Sequence, residues 1–528
     1  MKPYYIIAFF LLLAFSVEAQ SIELVKKFSR RPNIISSYEP YNSSLFFSFD
    51  NALWKTDGDS NSTTIVKQFS YGIKNLMVWN NKLYFFADDG QSGWELWLSD
   101  GTTQGTQLIK DINPGPSSAF MTNGFDNKLT VYNNAMYFPA NDGTHGRELW
   151  RTDGTAAGTF MVIDVDTTSH FPLYTLDGVQ SNISVTNNQL FFDATDSKDS
   201  FRLWVSNGIA SGTHPINTVM SGGAFCHYNN KLFFYGISTD STSPDFGRDG
   251  LFSTDGTEIG TQLVYDSMAD MSATYAVMNN RLYFLANKLI YGMPPFSLYV
   301  TDGTTGGTSI IKDTVFPVNT TPLDDNLLCV YDNNLYFPNG TDQNSQLWKS
   351  DGTASGTHQL TSFGYSLEPS QLIVANGLLY FKGLDTSHVE LWSTDGTAAN
   401  TKVVEMLGNN YSLRQSASLR SPIYQYNNYL FFGNFYINDT GALYKYQLYP
   451  DAIANVPNVA KAEVYPNPAH DFVYYKGEVH SMVAYDIEGK QVAKASSNKL
   501  DVRTLTPGSY LVLIETAKTK QFARFIKE

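Results

Sequence analysis

Along almost the whole chain, short apolar runs rich in aromatic and β-branched residues alternate with two recurring polar marks, a pattern that reads as strands and tight turns and not as helices. The first mark is an Asn pair ahead of an apolar run. Asn80-Asn81 precedes Leu83-Tyr84-Phe85-Phe86, Asn187-Asn188 precedes Leu190-Phe191-Phe192, Asn279-Asn280 precedes Leu282-Tyr283-Phe284, and Asn427-Asn428 precedes Leu430-Phe431-Phe432. Asn tolerates the left-handed backbone that a two-residue hairpin demands, so each pair predicts a hairpin tip. The second mark closes a run with Asp-Gly or Asn-Gly, as in Leu96-Trp97-Leu98-Ser99-Asp100-Gly101-Thr102 followed by Gly105-Thr106. It begins at Asp57, Asp100, Asp153, Asn207, Asp255, Asp302, Asp351 and Asp395, at intervals of 43 to 54 residues. Such intervals are the lengths of propeller blades.

One unit predicts four strands, A to D, here residues 75 to 79, 83 to 87, 95 to 98 and 106 to 112. The A-B-C pattern occurs nine times, and the ninth copy, ending in Gly441-Ala442-Leu443-Tyr444, has no Asp-Gly turn and no strand D after it. The missing strand is at the other end of the chain, where Glu23 to Phe28 matches the D strands Gln107 to Ile112 and Thr64 to Phe69. The expected fold is therefore all-β: a large β-propeller of about nine four-stranded blades, closed by the N-terminal strand, which removes the free sheet edges.

The repeated tryptophan looks like a ligand-stacking residue, but six of the eight (Trp54, Trp97, Trp150, Trp204, Trp348 and Trp392) share the strand-C position, which Phe252, Tyr299 and Tyr444 fill elsewhere. A position that accepts any large aromatic is expected to pack between blades. The Asp of the Asp-Gly-Thr turn is explained by turn chemistry, its carboxylate bonding the backbone two residues on. A calcium reading stays open beside it, because Asp89 and Glu95, and again Asp142 and Glu148, place two carboxylates six residues apart in adjacent units. The only cysteines, Cys226 and Cys329, fall at one strand-A position two blades apart, which predicts free thiols and no disulfide. Neither has an evident His partner.

Lys2, the apolar run from Tyr4 to Phe15 and Val17-Glu18-Ala19 make a secretory signal peptide, with cleavage expected after Ala19. No later run approaches the roughly 18 apolar residues of a membrane span. With 36 basic against 50 acidic residues the net charge is −14, which disfavours nucleic acid and anionic membranes as partners. Past Tyr449 the repeat stops, so the organisation reads as signal peptide 1–19, propeller 20–449, linker 450–462 and a small β unit 463–528.

That last unit carries Tyr465-Pro466-Asn467-Pro468-Ala469, then Val483 to Val492 with Gly489-Lys490, Leu500-Asp501-Val502, Pro507-Gly508-Ser509-Tyr510 and a closing Phe525-Ile526-Lys527. The whole tail, in motif order, resembles the type A C-terminal sorting domain of the type IX secretion system of Bacteroidetes. The resemblance implies a small immunoglobulin-like β-sandwich read by the outer-membrane translocon and removed by a surface sortase. It makes Tyr465, Pro466, Asn467, Pro468, Gly489, Lys490, Gly508 and Tyr510 the sorting signal. It also implies a product released to the medium or attached to the outer-membrane surface. The repeat region is similar to the bacterial ELWxxDGT, or hyalin-like, family; Glu95-Leu96-Trp97 and Glu148-Leu149-Trp150 match in full, whereas Arg202, Gly250 and Gln346 replace the Glu. That family implies no catalytic residue.

Three function classes follow: a surface or secreted binding and adhesion module for a glycan or protein, a polysaccharide-active enzyme working in the propeller funnel, and a passive coat or matrix component. No nucleophile–base pair stands out for the enzyme class. Strand alternation puts the A-B and C-D turns on one face and the B-C and D-A loops on the other. Only the second face varies in length, most at 113–128, 166–181, 237–249, 315–326 and 408–421. Ligand contacts are therefore expected there, with Trp94, Phe120, His170, Tyr174, Arg248, Tyr411 and Arg414 as candidates. No cofactor is called for beyond the open calcium reading.

Overall fold

The computed structural model describes residues 22–28, 35, 37–120, 129–167, 178–196, 201–288 without 267, 295–316, 327–385 without 342, 389–404, 422–436, 440–448, 464–485, 491–516 and 520–527. The signal segment and the 450–462 linker lie outside these residues.

Among the described residues the repeat folds into nine antiparallel four-stranded units in A-B-C-D order, propeller-like in arrangement. In the second unit the strands are Ile73–Trp79, Lys82–Asp88, Trp94–Ser99 and Gln107–Leu108. The first three run slightly longer than the sequence indicates, and the fourth is much shorter than the expected 106 to 112. Ile109 N still donates to Leu96 O at 3.1 Å, but the chain then peels away from strand C toward the variable face. Three of the four Asn pairs form the expected tips, Asn80 and Asn81 (φ 45° and 56°), Asn187 and Asn188, and Asn279 and Asn280 all holding the left-handed conformation of type I′ turns, whereas in the fourth only Asn427 (φ 50°) does. The fourth and fifth units depart from the pattern. Their sheets join, because the end of Thr213–Ser221 pairs with Lys231–Ser238 through Val219, Met220 and Ser221.

The strand predicted to complete the ninth unit does so. Ile22–Lys27 pairs antiparallel with Thr440–Gln447, with Leu24 opposite Tyr444. Buried clusters then join each unit to the next, and one of them joins the ninth to the first through Val25, Phe28, Phe431 and Leu443 against Tyr38, Leu45, Phe47 and Phe49.

Two contacts repeat at these interfaces. The glycine of each Asp-Gly turn lies against strand B of the preceding unit, as Gly101 does on Phe46, Gly154 on Tyr84, Gly208 on Tyr137 and Gly396 on Tyr336; Gly58 lies on Phe431 in the same way, from the first unit back to the ninth. A Cβ would meet the ring, and φ near +90° excludes most side chains in any case. The second contact is a lysine on or just after strand D over the strand-C tryptophan of the next unit: Lys67 stands 4.6 Å from the Trp97 ring, Lys312 4.9 Å from Trp348 and Lys110 5.6 Å from Trp150. The N-terminal strand supplies the equivalent Lys26, whose Nζ donates to Ser60 O of the first unit at 3.1 Å.

The strand-C aromatics pack as expected, stacked on the facing strand-B ring. Phe47 and Trp54, Phe192 and Trp204, Phe381 and Trp392, Phe234 and Phe252, and Phe284 and Tyr299 all make such pairs. Both cysteines are free.

The tail forms two sheets around one core. Val464–Tyr465, Phe472–Tyr475 and Lys499–Asp501 make one; Gln491–Ala495, Ser481–Tyr485, Gly508–Glu515 and Lys520–Lys527 make the other. Val473 and Leu500 from the first meet Met482, Val512, Ile514 and Phe525 from the second. Among the described residues no helix is long and apolar enough to cross a membrane.

Candidate functional site

On the face carrying the A-B and C-D turns, six units share one set of turn hydrogen bonds. In the second unit Asp100 Oδ1 accepts Thr102 N (2.9 Å) and Thr102 Oγ1 (2.7 Å), Thr102 Oγ1 accepts Gly105 N (3.0 Å), and Ser99 Oγ bonds Thr106 Oγ1 (2.7 Å). The same set recurs around Asp153, Asp255, Asp302 and Asp351. The Thr hydroxyl and then the Thr N–H hold these carboxyls below the usual range. Gly105 is required because a Cβ there would collide with the Asp100 carboxylate. Carboxylates so engaged in their own turn are scaffold.

On the variable face, strand-D-to-A segments lean on the B-C loop of the next unit: Ser70 N donates to Asp88 O at 2.9 Å and Asn141 N to Ala119 O at 2.9 Å. Two of the predicted contact residues are consumed by this packing. Trp94 is 8% exposed and Phe120 2%, both in the core between the second and third units, with Phe120 between Phe86 and Phe138. Neither ring is offered to solvent, so each pins its own loop. Arg248 is exposed and pairs with Asp245 (2.7 Å) and with Asp266, holding the 237–249 loop to strand D. His170, Tyr174, Tyr411 and Arg414 lie outside the described residues. The structure adds exposed aromatics the sequence reading missed, Tyr71 (67% exposed), Phe246 (60%) and Phe316 (37%), all on this face's loops. Their only signal is negative: they lie outside every repeated position.

At the positions considered for calcium, Asp89 Oδ1 accepts Gln91 N and Ser92 N, and Asp142 Oδ1 accepts Thr144 N and His145 N, as Asx turns do. The partner glutamates are turned inward. Glu95 Oε1 accepts Asn113 N at 3.0 Å and Glu148 Oε2 accepts Val165 N at 2.7 Å, so each side chain ties strand C to its D-A segment. Gln346 does this in the seventh unit, accepting Thr361 Oγ1 and donating to Tyr365 O. Among the described residues no three His, Cys, Asp or Glu side chains converge as a metal site would need.

Burial pushes Glu95 and Glu148 up to about 8. A carboxyl raised in the fold contributes stability that is full below its unfolded value near 4.5 and is lost as pH rises toward about 8. Replacing Glu148 by Gln, which keeps the acceptor, should therefore gain stability relative to wild type by about 2 to 4 kcal/mol between pH 5 and pH 9. Urea melts at the two pH values measure this; parallel shifts in both proteins would show that Glu148 reaches water.

The remaining chemistry lies on the inner edge, along the A strands. Counting back from each hairpin tip, the second position is Val78, Val131, Val185, Val277, Val330 and Val374 in six units, with Pro40, Gln425 and His227 in the others. The valine of the third unit, Val131, packs against the same buried cluster as Met77 and Trp79 of the second. His227 meets hydroxyls there. Its Nε2 is 2.5 Å from Ser184 Oγ, and its Nδ1 bonds Thr186 Oγ1. Burial lowers the His227 pKa, favouring neutral imidazole. The sequence reading found no such pair, because its members lie on two strands and only departure from the valine pattern marks them.

In the tail, the Tyr465-to-Ala469 segment is stitched to the last strand: Asn467 Oδ1 accepts Ile526 N at 2.8 Å and Ala469 N donates to Ile526 O at 2.7 Å. Tyr465–Pro466 and Asn467–Pro468 are cis. Tyr510 is buried on Phe525, its hydroxyl bonding Thr506 O. Gly489 and Lys490 lie outside the described residues.

Among solved structures the chain is similar to BamB from Moraxella catarrhalis (10% identity, TM-score 0.38, covering 81% of this chain and 98% of that one) and to the β-propeller domain of the trilobed protease from Pyrococcus furiosus (10% identity, TM-score 0.32, covering 72% and 98%). A mutant puromycin hydrolase matches at 12% identity and TM-score 0.34, over 68% of this chain. The chain spans 58% of that hydrolase's length. Such likeness transfers no activity. No curated protein matches the sequence. Residues 463–528 match the family described as the secretion system C-terminal sorting domain, and the tail is therefore a sorting domain for export.

Proposed function

We propose that this chain is an exported binding or adhesion module whose nine blades close into one ring and whose variable face holds an extracellular glycan or protein. The observation that carries this reading is the contrast between faces. One repeats the same turn hydrogen bonds in six of the nine units, while the other differs from blade to blade and exposes Tyr71, Phe246 and Phe316. Variable loops on a rigid scaffold are where recognition is usually built.

In this reading the signal peptide is cut after Ala19, and the tail, an immunoglobulin-like sandwich built with Tyr465 to Pro468, Gly489, Lys490, Gly508 and Tyr510 as its sorting signal, is read by the type IX translocon and sortase. The mature protein is then secreted or held at the outer-membrane surface. The repeat resemblance to the ELWxxDGT family names no ligand.

A glycan array probed with the purified protein, with and without calcium, tests the proposal. Binding should fall at least tenfold when residues 237–249 are shortened and stay intact when Asn80 or Asn279 is replaced by Gly. Affinity that followed the turn variants would move the site to the other face. Affinity lost on calcium removal and in Asp89→Ala or Asp142→Ala would replace the loop reading with a metal-dependent one.

A further inference from the structure

The fourth and fifth units meet differently from the others. Their sheets are joined by backbone pairing, and at their inner edge one departure from the repeat meets two hydroxyls: His227 stands where six units have valine, and Ser184 and Thr186 occupy the two positions it faces. A polar ring at a position that six units fill with valine breaks the local packing rule, and such departures gather at functional or strained sites. Ser184 and His227 both keep partial access to solvent.

Two hydroxyls on one neutral imidazole leave two proton arrangements. With the proton on Nδ1 and donated to Thr186 Oγ1, Nε2 is a free acceptor for the Ser184 hydroxyl at 2.5 Å. That is the geometry of a serine with its general base, the base oriented by a third group. We propose that Ser184 and His227 form a nucleophile–base pair on the inner edge of the propeller that accepts carboxylic ester carbonyls. Ser184 Oγ attacks the carbonyl carbon while its proton passes to His227 Nε2. The C–O bond to the alcohol breaks, the departing oxygen takes that proton, and an acyl-serine is left. Water, deprotonated by the same imidazole, then releases the acid and restores both groups. Thr186 is a positioning residue. It carries no charge to stabilise the imidazolium, so turnover is slow beside that of an Asp-supported serine enzyme.

This activity is independent of the loop-face reading, and its test reads a covalent mark. The purified full chain is treated with an alkyl fluorophosphonate, which forms a serine–phosphorus bond and expels fluoride, and the adduct is located by peptide mass spectrometry. Wild type should carry one adduct at Ser184. Ser184→Ala should carry none there, His227→Gln should label at least tenfold more slowly, and Thr186→Val should slow labelling while leaving the adduct site unchanged. Slow hydrolysis of p-nitrophenyl acetate should be lost with Ser184→Ala. Thermal melts establish that each variant is folded, and the wild-type result decides alone if one is not. No adduct at Ser184 in wild type, or labelling as fast in folded His227→Gln, would overturn the proposal.

Discussion

A chain shortened to begin after Phe28 should lose roughly 5 to 8 kcal/mol, because the cut removes Val25 and Phe28, two almost fully buried side chains, together with a strand of backbone pairing. Phe28 does most of this work. Its ring stacks on Phe49 at 4.0 Å and meets Trp54 edge-on at 5.2 Å, so its loss opens the face between the ninth and first units. The exposed edge of Thr440–Gln447 would also template pairing with other chains, and the shortened protein is expected to self-associate. Denaturant melts with light scattering measure both effects, and a synthetic peptide of residues 22 to 28 should reverse them. A truncated chain that melts like wild type would mean that the pairing is dispensable and the ring is not closed by it.

The second large effect is expected at Trp150. It is 6% exposed, faces Phe138 in register and carries Lys110 over its ring. Replacing it with Ala should cost about 3 to 5 kcal/mol. Replacing it with Phe should cost much less, for two reasons found in the protein itself. Phe252 fills the equivalent position by stacking on Phe234 at 5.9 Å, and the Trp150 indole N–H has no hydrogen-bond partner among the described residues. Trp97 supplies the contrast: its Nε1 donates to Ala87 O at 3.1 Å, so Trp97→Phe should cost about 1 kcal/mol more than Trp150→Phe. Equal melts for wild type and Trp150→Ala would mean an exposed ring and revive the ligand-stacking reading.

The features legible in the sequence are those the repeat states many times. The Asn pairs at 80–81, 187–188 and 279–280 become type I′ tips because few residues tolerate two left-handed positions in a row. Strand-C aromatics pack because the position accepts Trp, Phe and Tyr alike, and the Glu23-to-Phe28 segment pairs where its likeness to strand D put it. What could not be read is what happens once. Trp94 and Phe120 look like loop residues in the sequence, but strand C begins at Trp94 and the short strand D lets the chain fold Phe120 back beneath it, so both end in the core. The Ser184, Thr186 and His227 contact depends on which way strand-A side chains face across an interface, and no periodicity within one unit states that.

Ile22 meets Tyr446 roughly 400 residues later in the chain, whereas every other strand pair described in the repeat is closed within its own or an adjacent unit. Bringing ends that distant together costs about 3 kcal/mol more in chain entropy than closing a ten-residue hairpin. Folding should therefore build the internal blades first and lock the ninth last, and native-state hydrogen exchange should find Ile22–Lys27 and Thr440–Gln447 releasing their amides ahead of the other blade cores. Ile22–Lys27 thus serves as the latch, and a circular permutant with new ends in a C-D turn would move that latch to another blade while keeping every strand pair.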